Sequence, residues 1–356
     1  MNWLLLFIPI AVALEHLQPE QSRWIFLSSA LAIVPLAGWM GRATEQLAER
    51  MGEGIGGLLN ATFGNAAELI IAIVALRAGL HDVVKASLAG SIVGNILLVL
   101  GVAMLAGGVR RPEQHYNAVG ARSQATMLTL AAIALIVPAA YRAATREMGT
   151  TELGSISIWL SVVLLAVYAA NLIFSLGTHK ALFAGSPEGG GHQHAGPTWS
   201  TGRAGLVLAA ATALIAWMSE MLVGALEPTA AALGLNDAFM GVFVVAILGN
   251  AAEHSTAVSA AIKDRMDLSL SIAIGSSVQV ALFVAPLLVL LSLAIGPTPM
   301  DLAFSGGLVL TILLAVWILG QVAGDGRSDW LRGVQLLAVY LILALVYFFA
   351  PVGRPT

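Results

Sequence analysis

The chain has no cysteine, and few of its residues carry a charge. Without cysteine, a disulfide framework, a thiolate metal site and a cysteine nucleophile are all excluded. Charged residues make up 10% of the 356 residues and hydrophobic residues 58%, whereas soluble domains carry about 25% charged residues. No basic run is longer than Arg110-Arg111, so the sequence does not suggest a nucleic-acid partner. These shortages are typical of a protein whose solvent is a lipid bilayer.

The hydrophobic residues fall in long blocks and not in amphipathic stripes. A membrane-spanning helix needs about 20 apolar residues. The candidate blocks lie near residues 2–14, 23–41, 54–77, 83–107, 120–141, 154–176, 203–226, 238–262, 268–295, 302–323 and 330–350. We therefore expect an all-α polytopic membrane protein with about 11 transmembrane helices.

The first block could be a cleaved signal peptide or a retained helix. No Lys or Arg precedes its apolar residues, and because signal peptides usually begin with basic residues, a retained helix is favoured. Arg and Lys are more frequent in alternate connections, namely those on the side of the N-terminus. The positive-inside rule therefore predicts a cytoplasmic N-terminus.

A short phrase occurs twice within apolar blocks, as Gly64-Asn65-Ala66-Ala67-Glu68 and as Gly249-Asn250-Ala251-Ala252-Glu253. The two copies are 185 residues apart, and the same offset relates Gly90-Ser91 to Gly275-Ser276 without a gap. An odd number of predicted spans separates the copies, so they enter the membrane from opposite faces, as in an inverted repeat. The predicted units are an extra N-terminal helix (1–22), a first five-helix repeat (23–176), a flexible Gly/His-rich cytoplasmic linker (177–202) and a second, inverted five-helix repeat (203–356).

Each copy of the phrase contains a carboxylate, which costs at least about 2.5–3.5 kcal/mol at mid-membrane. Asn65 and Glu68 are three residues apart and so share a helix face, as do Asn250 and Glu253. The adjoining blocks add further polar side chains: Ser91, Asn95, Ser276 and Gln279. All these groups bind through oxygen, which favours a hard cation such as Ca²⁺. The pattern predicts one metal site, centred on Glu68 and Glu253.

The same two carboxylates could instead bind protons, since burial without a cation disfavours the ionised form. Metal and protons would then compete for the same oxygens, and an inverted repeat that opens to either side would exchange them. The alternative is that both acids are structural. Ser and Asn side chains also form hydrogen bonds between helices in lipid, so the four flanking residues could do no more than that.

Three further residues have two interpretations each. Glu45 and Glu220 lie near the ends of corresponding blocks, and they could be vestibule acids that attract cations or relay protons, or acids that simply touch water. His254 could tune Glu253 or carry a proton, or it could be structural. The linker contains three histidines, which could bind a metal weakly or be solvated: His179, His192 and His194.

At these residues the chain resembles the calcium/proton antiporters of the cation/calcium exchanger superfamily. The resemblance covers nearly the whole chain and is most specific in four segments: 59–68, 90–95, 249–254 and 275–279. It implies ten core helices in two inverted five-helix halves plus an extra first helix. It also implies that Glu68 and Glu253 bind Ca²⁺ and H⁺, and that Ca²⁺ leaves the cytoplasm as protons enter. Ca²⁺ would be a transported substrate and no cofactor is expected.

Other classes remain as alternatives. Sodium/calcium exchange is the nearest, although Gln279 in place of a third acid leaves less negative charge for several sodium ions. An intramembrane metalloprotease would need His-Glu-x-x-His, which is absent; a serine hydrolase has only Ser276 and His254 as partners. A passive channel would conduct without counter-transport. The preference for Arg (14 residues) over Lys (3 residues) fits a bacterial protein, so we expect a bacterial cytoplasmic membrane, and a homo-oligomer is compatible with the sequence.

Overall fold

The structure is a computed structural model that describes residues 2–145, 150–179 and 199–350. His192 and His194 of the linker therefore lie outside the described residues. The first part of the chain forms helices α1 (Asn2–Leu17), α2 (Ser22–Phe63), α3 (Ala66–Arg77), α4 (His81–Gly108), α5 (Ala118–Thr145) and α6 (Thr150–Ile173). The second part forms α7 (Thr201–Gly224), α8 (Leu226–Leu233), α9 (Asp237–Gly249), α10 (Ala251–Ile262), α11 (Met266–Leu291), α12 (Gly306–Ala323) and α13 (Trp330–Phe348). Two short strands, β1 (Gln114–His115) and β2 (Arg327–Ser328), pair antiparallel.

Among the described residues, eight helices are long and apolar enough to cross a membrane. The number is nine if α8 and α9, which meet at an angle of 117°, count as one broken span. Every predicted apolar block is helical over most of its length. The expectation of a helical membrane protein is confirmed, whereas the count of 11 spans and the inverted repeat stay predictions.

Helix α2 joins two blocks that the sequence analysis treated as separate, 23–41 and 54–77. The intervening residues 42–53 contain good helix formers and no proline, so the backbone continues as helix. In a straight helix residues eight apart are separated by about 12 Å, yet a Cβ atom at Gly56 would lie 2.5 Å from the carbonyl oxygen of Ala48. The chain therefore bends sharply between these residues, and α2 consists of two limbs.

Both copies of the repeated phrase interrupt a helix. Helix α2 ends at Phe63 and α3 begins at Ala66, while α9 ends at Gly249 and α10 begins at Ala251. The asparagines at the two breaks have non-helical backbone angles, φ −104° and ψ 27° at Asn65 and φ −94° and ψ 4° at Asn250. The breaks thus place both acids of the phrase in the first turn of a new helix, where unpaired N–H groups favour negative charge.

Helices α4 and α11 adjoin these breaks and cross the centre of the molecule. Each contains a π-helical turn, at Gly94–Val99 and at Val280–Val284, and the 185-residue offset relates the two turns to within one residue. Small residues allow close packing at this level, since Gly90 lies directly against the backbone of Val242. The π turns widen the helices next to the polar residues of the predicted site.

Lys85, near the start of α4, lies inside the protein although it is charged. Its side chain is 7% exposed and donates a 2.6 Å hydrogen bond to Asp301 in the loop before α12. The ammonium group also donates to the carbonyl oxygen of Ala303, at 3.1 Å. This buried ion pair fastens the start of α4 to the loop between α11 and α12.

Candidate cation site

A cavity of about 550 Å³ reaches the two helix breaks, and Glu68 and Glu253 both line it. The Oε2 atom of each carboxylate is buried and has no hydrogen-bond partner among the described residues. Buried polar atoms are almost always paired, so two unpaired carboxylate oxygens on one cavity mark a position for a ligand.

The two acids are close enough for their negative charges to act on each other. Glu68 also lies beside the other copy of the phrase, because a Cβ atom at Gly249 would be 3.6 Å from Cγ of Glu68. Two like charges in a buried site are costly unless a cation or protons neutralise them. The geometry thus assembles one acidic site from both parts of the chain.

Asn65 is held by two side chains of α11. The hydroxyl of Ser276 donates a 2.7 Å hydrogen bond to Oδ1 of Asn65, and Nδ2 of Asn65 donates a 2.6 Å bond to Oε1 of Gln279. Ser276 and Gln279 line the cavity, whereas Asn65, 3% exposed, is not among the lining residues. Asn65 therefore lies behind the cavity wall and holds the side chains of Ser276 and Gln279, which line the cavity.

Asn250 occupies the corresponding place in the second copy. Its Nδ2 donates to the hydroxyl of Ser91 at 3.0 Å and to the carbonyl oxygen of Ala246 at 2.9 Å. Its Oδ1 atom is buried and unpaired among the described residues. The amide oxygen of Asn250 thus lacks a hydrogen-bond partner among the described residues, unlike that of Asn65.

Asn95 and His254 form a pair away from the cavity wall. Nε2 of His254 lies 3.2 Å from Oδ1 of Asn95, which is 1% exposed, and neither residue lines the cavity. The structure therefore brings Glu68, Glu253 and the α11 side chains to the surface of the cavity, and places Asn65, Asn250, Ser91 and Asn95 in the layer that surrounds it.

Of the two predicted vestibule acids, only Glu45 lines the cavity; Glu220 is exposed elsewhere. Sequence reasoning missed several polar lining residues, among them Arg42, Asn60, Thr256 and Ser271. Asn60 gave a signal, because it is polar, lies in the apolar block of Glu68 and precedes it by eight residues. The others occur singly near block ends, where polar residues are ordinary.

The donor set of this site consists of oxygen atoms. Among the described residues no group of three or more His, Asp or Glu side chains could hold a metal ion together. A cation here would be bound by two carboxylates and by neutral hydroxyl, amide or water oxygens, which suits Ca²⁺. Fold and site together define an integral membrane protein with paired carboxylates inside a bundle of apolar helices.

The family profile described as sodium/calcium exchanger protein matches residues 22–177 and 204–349. The chain is 44% identical to a Ca²⁺/H⁺ antiporter of Synechocystis sp. over 98% of this chain and 96% of the relative. It is 40% identical to the Ca²⁺/H⁺ antiporter ChaA of Bacillus subtilis over 96% of each chain. The chain belongs to the sodium/calcium exchanger protein family, and the resemblance to calcium/proton antiporters is confirmed.

Solved structures agree with this assignment. The structure of native YfkE superimposes with a TM-score of 0.82 at 38% identity and covers 96% of this chain and 97% of that chain. The H⁺/Ca²⁺ exchanger CAX superimposes with a TM-score of 0.69 at 17% identity, over 97% of this chain and 90% of that chain. The latter identity is low, so that likeness concerns the fold alone.

Proposed function

We propose that this protein is a secondary antiporter that exchanges Ca²⁺ for H⁺ by alternating access, with Glu68 and Glu253 binding the cation or protons competitively. The observation that carries the proposal is the pair of unpaired, buried Oε2 atoms on a single cavity. The names of the relatives at 40% and 44% identity support the same pair of ions.

Charge balance explains why the two ions exclude each other. Two carboxylates neutralise one divalent cation, and two protons neutralise the same carboxylates. A site that held neither would leave two negative charges in an apolar bundle, which costs several kcal/mol. Because the empty charged site is the costly state, the protein passes between metal-loaded and proton-loaded states, which gives exchange and not leakage.

The neutral ligands come from the polar side chains next to the acids. Ca²⁺ takes about six to eight oxygens. The carboxylates, the Ser276 hydroxyl and the Gln279 amide oxygen provide part of this number, and water in the cavity provides the rest. Asn65 then keeps Ser276 and Gln279 in position through its two hydrogen bonds.

The cavity extends from the two acids toward one side of the membrane. Away from the acids its polar lining residues include Glu45, near the end of the first limb of α2, and Thr256 and Ser271, on either side of the turn between α10 and α11. The topology with a cytoplasmic N-terminus assigns both places to the cytoplasmic half of the membrane. The described conformation is then open to the cytoplasm, ready to take up Ca²⁺ in the inner membrane of a bacterium.

An inverted repeat of five helices on each side of the linker, with α1 outside it, underlies this alternation. Its support is the exchange of partners between the copies: Asn65 bonds Ser276, and Asn250 bonds Ser91. With the second limb of α2 joined to α3, α9 joined to α10, and the eight-residue helix α8 not counted as a crossing, the described chain accommodates 11 crossings. A two-fold relation of this kind allows the site to open to each side in turn.

The test is ⁴⁵Ca²⁺ uptake into proteoliposomes that contain the purified protein. We expect uptake when an outward proton gradient is imposed, with release of protons from the liposomes only when Ca²⁺ is added. A parallel arm replaces the proton gradient with an outward sodium gradient. Uptake that requires sodium and ignores the proton gradient would replace the proposal with sodium/calcium exchange. Calcium flux without counter-transport would indicate a channel.

A further inference from the structure

Among the described residues that line the cavity, four carry a charge. Glu68 and Glu253 lie at the two helix breaks, and Arg42 and Glu45 lie on the first limb of α2. Arg42 is thus the single basic side chain among these described lining residues, in a cavity that we assign to a cation. Its positive charge opposes the attraction that the three acids exert on the cargo.

Arg42 has no partner in the described part of the chain. It is exposed, and no hydrogen bond or ion pair joins it to another described residue. Two other arginines have structural contacts: Arg50 donates from Nε and Nη2 to the carbonyl oxygen of Trp199, at 3.0 and 2.6 Å, and Arg203 lies 5.0 Å from the Trp199 ring centroid. Arg42 instead is an exposed side chain that lines the cavity.

We infer that Arg42 determines how strongly the cavity attracts divalent cations: its charge lowers their local concentration in front of the acids and so raises the apparent KM for Ca²⁺ on that side. The inference rests on the proposed function. Glu45, three residues further along the same helix, acts in the opposite direction. Arg42 and Glu45 thus influence the electrostatic potential in the cavity, whereas Glu68 and Glu253 bind the cation.

Electrostatics makes the effect specific for ion charge. A fixed potential changes the local concentration of an ion by a factor that depends exponentially on the ion's charge, so the factor for a divalent ion is the square of that for a monovalent ion. Clefts with low-dielectric walls strengthen such fields. Arg42 therefore acts more strongly on Ca²⁺ than on monovalent cations. Because the charge is exposed, salt screens it over about 10 Å at 0.1 M.

The experiment measures initial rates of Ca²⁺ uptake into everted membrane vesicles, whose outer surface is the cytoplasmic face. Four variants form the series: Arg42→Lys, Arg42→Gln, Arg42→Glu and Arg23→Gln. The last is a matched control, because Arg23 is an exposed arginine at the start of α2 that does not line the cavity. Rates are recorded at low and at high ionic strength, with the amount of protein in the vesicles measured for each variant.

For Arg42→Gln we expect the KM for Ca²⁺ to fall about two- to fourfold at low ionic strength, with little change in the maximal rate. Arg42→Glu should lower it further, whereas Arg42→Lys and Arg23→Gln should resemble the wild type. The differences should shrink at high ionic strength. The Lys variant keeps the charge but not the shape of the side chain, so its wild-type KM would separate charge from packing.

Equal KM values for Arg42→Gln and Arg23→Gln would overturn the inference. So would a change in KM that salt does not reduce, because it would point to packing and not to the field. These outcomes are distinct from failure of the proposed function. A wild-type protein that takes up no Ca²⁺ would overturn both, whereas wild-type uptake with a flat Arg42 series would overturn the inference alone.

Discussion

The hydroxyl of Ser276 on α11 donates a hydrogen bond of 2.7 Å to the side-chain oxygen of Asn65, at the break between α2 and α3. The residues that the 185-residue offset relates to this pair are Asn250 and Ser91, and they are also joined, at 3.0 Å. Each copy of the repeated phrase is therefore fastened by a serine from the other part of the chain. Such reciprocal contacts are expected of two halves related by a two-fold axis.

The two contacts nevertheless differ in whether the asparagine Oδ1 atom is left without a hydrogen-bond partner. Gln279, which takes the second hydrogen bond of Asn65, corresponds to Gly94 in the other copy, where no side chain is present. The Oδ1 atom of Asn65 is engaged, whereas that of Asn250 is unpaired. The site is thus symmetric in its acids and asymmetric in its amides.

The first prediction concerns the two acids. Glu68→Gln and Glu253→Gln should each lower Ca²⁺ exchange by at least about 100-fold, because each removes a direct charged ligand and even outer-shell changes cost 10–100-fold. Both variants should remain folded, since glutamine is isosteric and neutral. Proton-driven ⁴⁵Ca²⁺ uptake and size-exclusion profiles in detergent would check this. The control is Glu20→Gln, at an exposed acid in the turn before α2, and retained exchange in either site variant would refute the role of that acid.

Much of this site was predictable from sequence because a carboxylate in an apolar block is costly and therefore informative. The repeated phrase identified Glu68 and Glu253, and the offset identified Ser91 and Ser276, which the structure joins to the asparagines of the opposite copy. The helix breaks at Asn65 and Asn250 each follow the glycine that begins the phrase.

Other features of the fold and the site could not be predicted from the order of residues in the sequence. The bend of α2 near Ala48 and Gly56 lies within a segment of good helix formers. Helix propensity therefore predicts a helix there but does not predict that the helix axis bends. Likewise, the sequence places Lys85 near a helix end but does not reveal that it is buried. Its partner Asp301 is 216 residues away, and only the structure shows the ion pair. Which polar side chains reach the cavity depends on helix rotation, which the sequence alone does not specify.

The second prediction is that the apparent affinity for Ca²⁺ rises with pH. The metal binds deprotonated carboxylates, so each proton that leaves frees an oxygen ligand, and binding of the metal releases protons. Among the described residues, the titratable groups that line the cavity are Glu45, Glu68, Glu253 and Arg42. Equilibrium ⁴⁵Ca²⁺ binding to the detergent-solubilised protein across a series of pH values would measure the effect, and proton release can be recorded in weak buffer. An affinity that is the same at every pH would contradict direct competition.

The third prediction concerns the buried ion pair of Lys85 and Asp301. Lys85→Met should lower the free energy of unfolding by about 1–3 kcal/mol, less than for a fully buried pair because the Asp301 side chain is 29% exposed. The loss arises mainly because the carboxylate remains without its cation. Lys85→Met combined with Asp301→Asn should therefore recover part of the stability. Thermal unfolding in detergent would measure both.

The matched control for this pair is an exposed one. Arg327 and Glu113 are 3.7 Å apart, with side chains 64% and 44% exposed, and exposed pairs contribute little. Glu113→Gln should leave the unfolding midpoint almost unchanged. If Lys85→Met were as mild as Glu113→Gln, the pair would not fasten α4 to the loop before α12.

The fourth prediction compares the glycines of the two phrases, Gly64 and Gly249, which are followed by the same four residues but have different surroundings. A Cβ atom at Gly64 would lie 2.8 Å from the carbonyl oxygen of Asn60 and 3.2 Å from Oε1 of Gln279, whereas a Cβ atom at Gly249 would meet nothing closer than 3.6 Å. Gly64→Ala must therefore displace backbone and push Gln279 away from Asn65, while Gly249→Ala fits at ordinary contact distance beside Glu68.

We expect Gly64→Ala to lower Ca²⁺ affinity and the unfolding midpoint, and Gly249→Ala to change both much less. The two variants are each other's control, since both add one methyl group to the same sequence motif. Equal effects on ⁴⁵Ca²⁺ binding and thermal unfolding would show that the two halves of the site are packed alike, contrary to the asymmetry at Gln279.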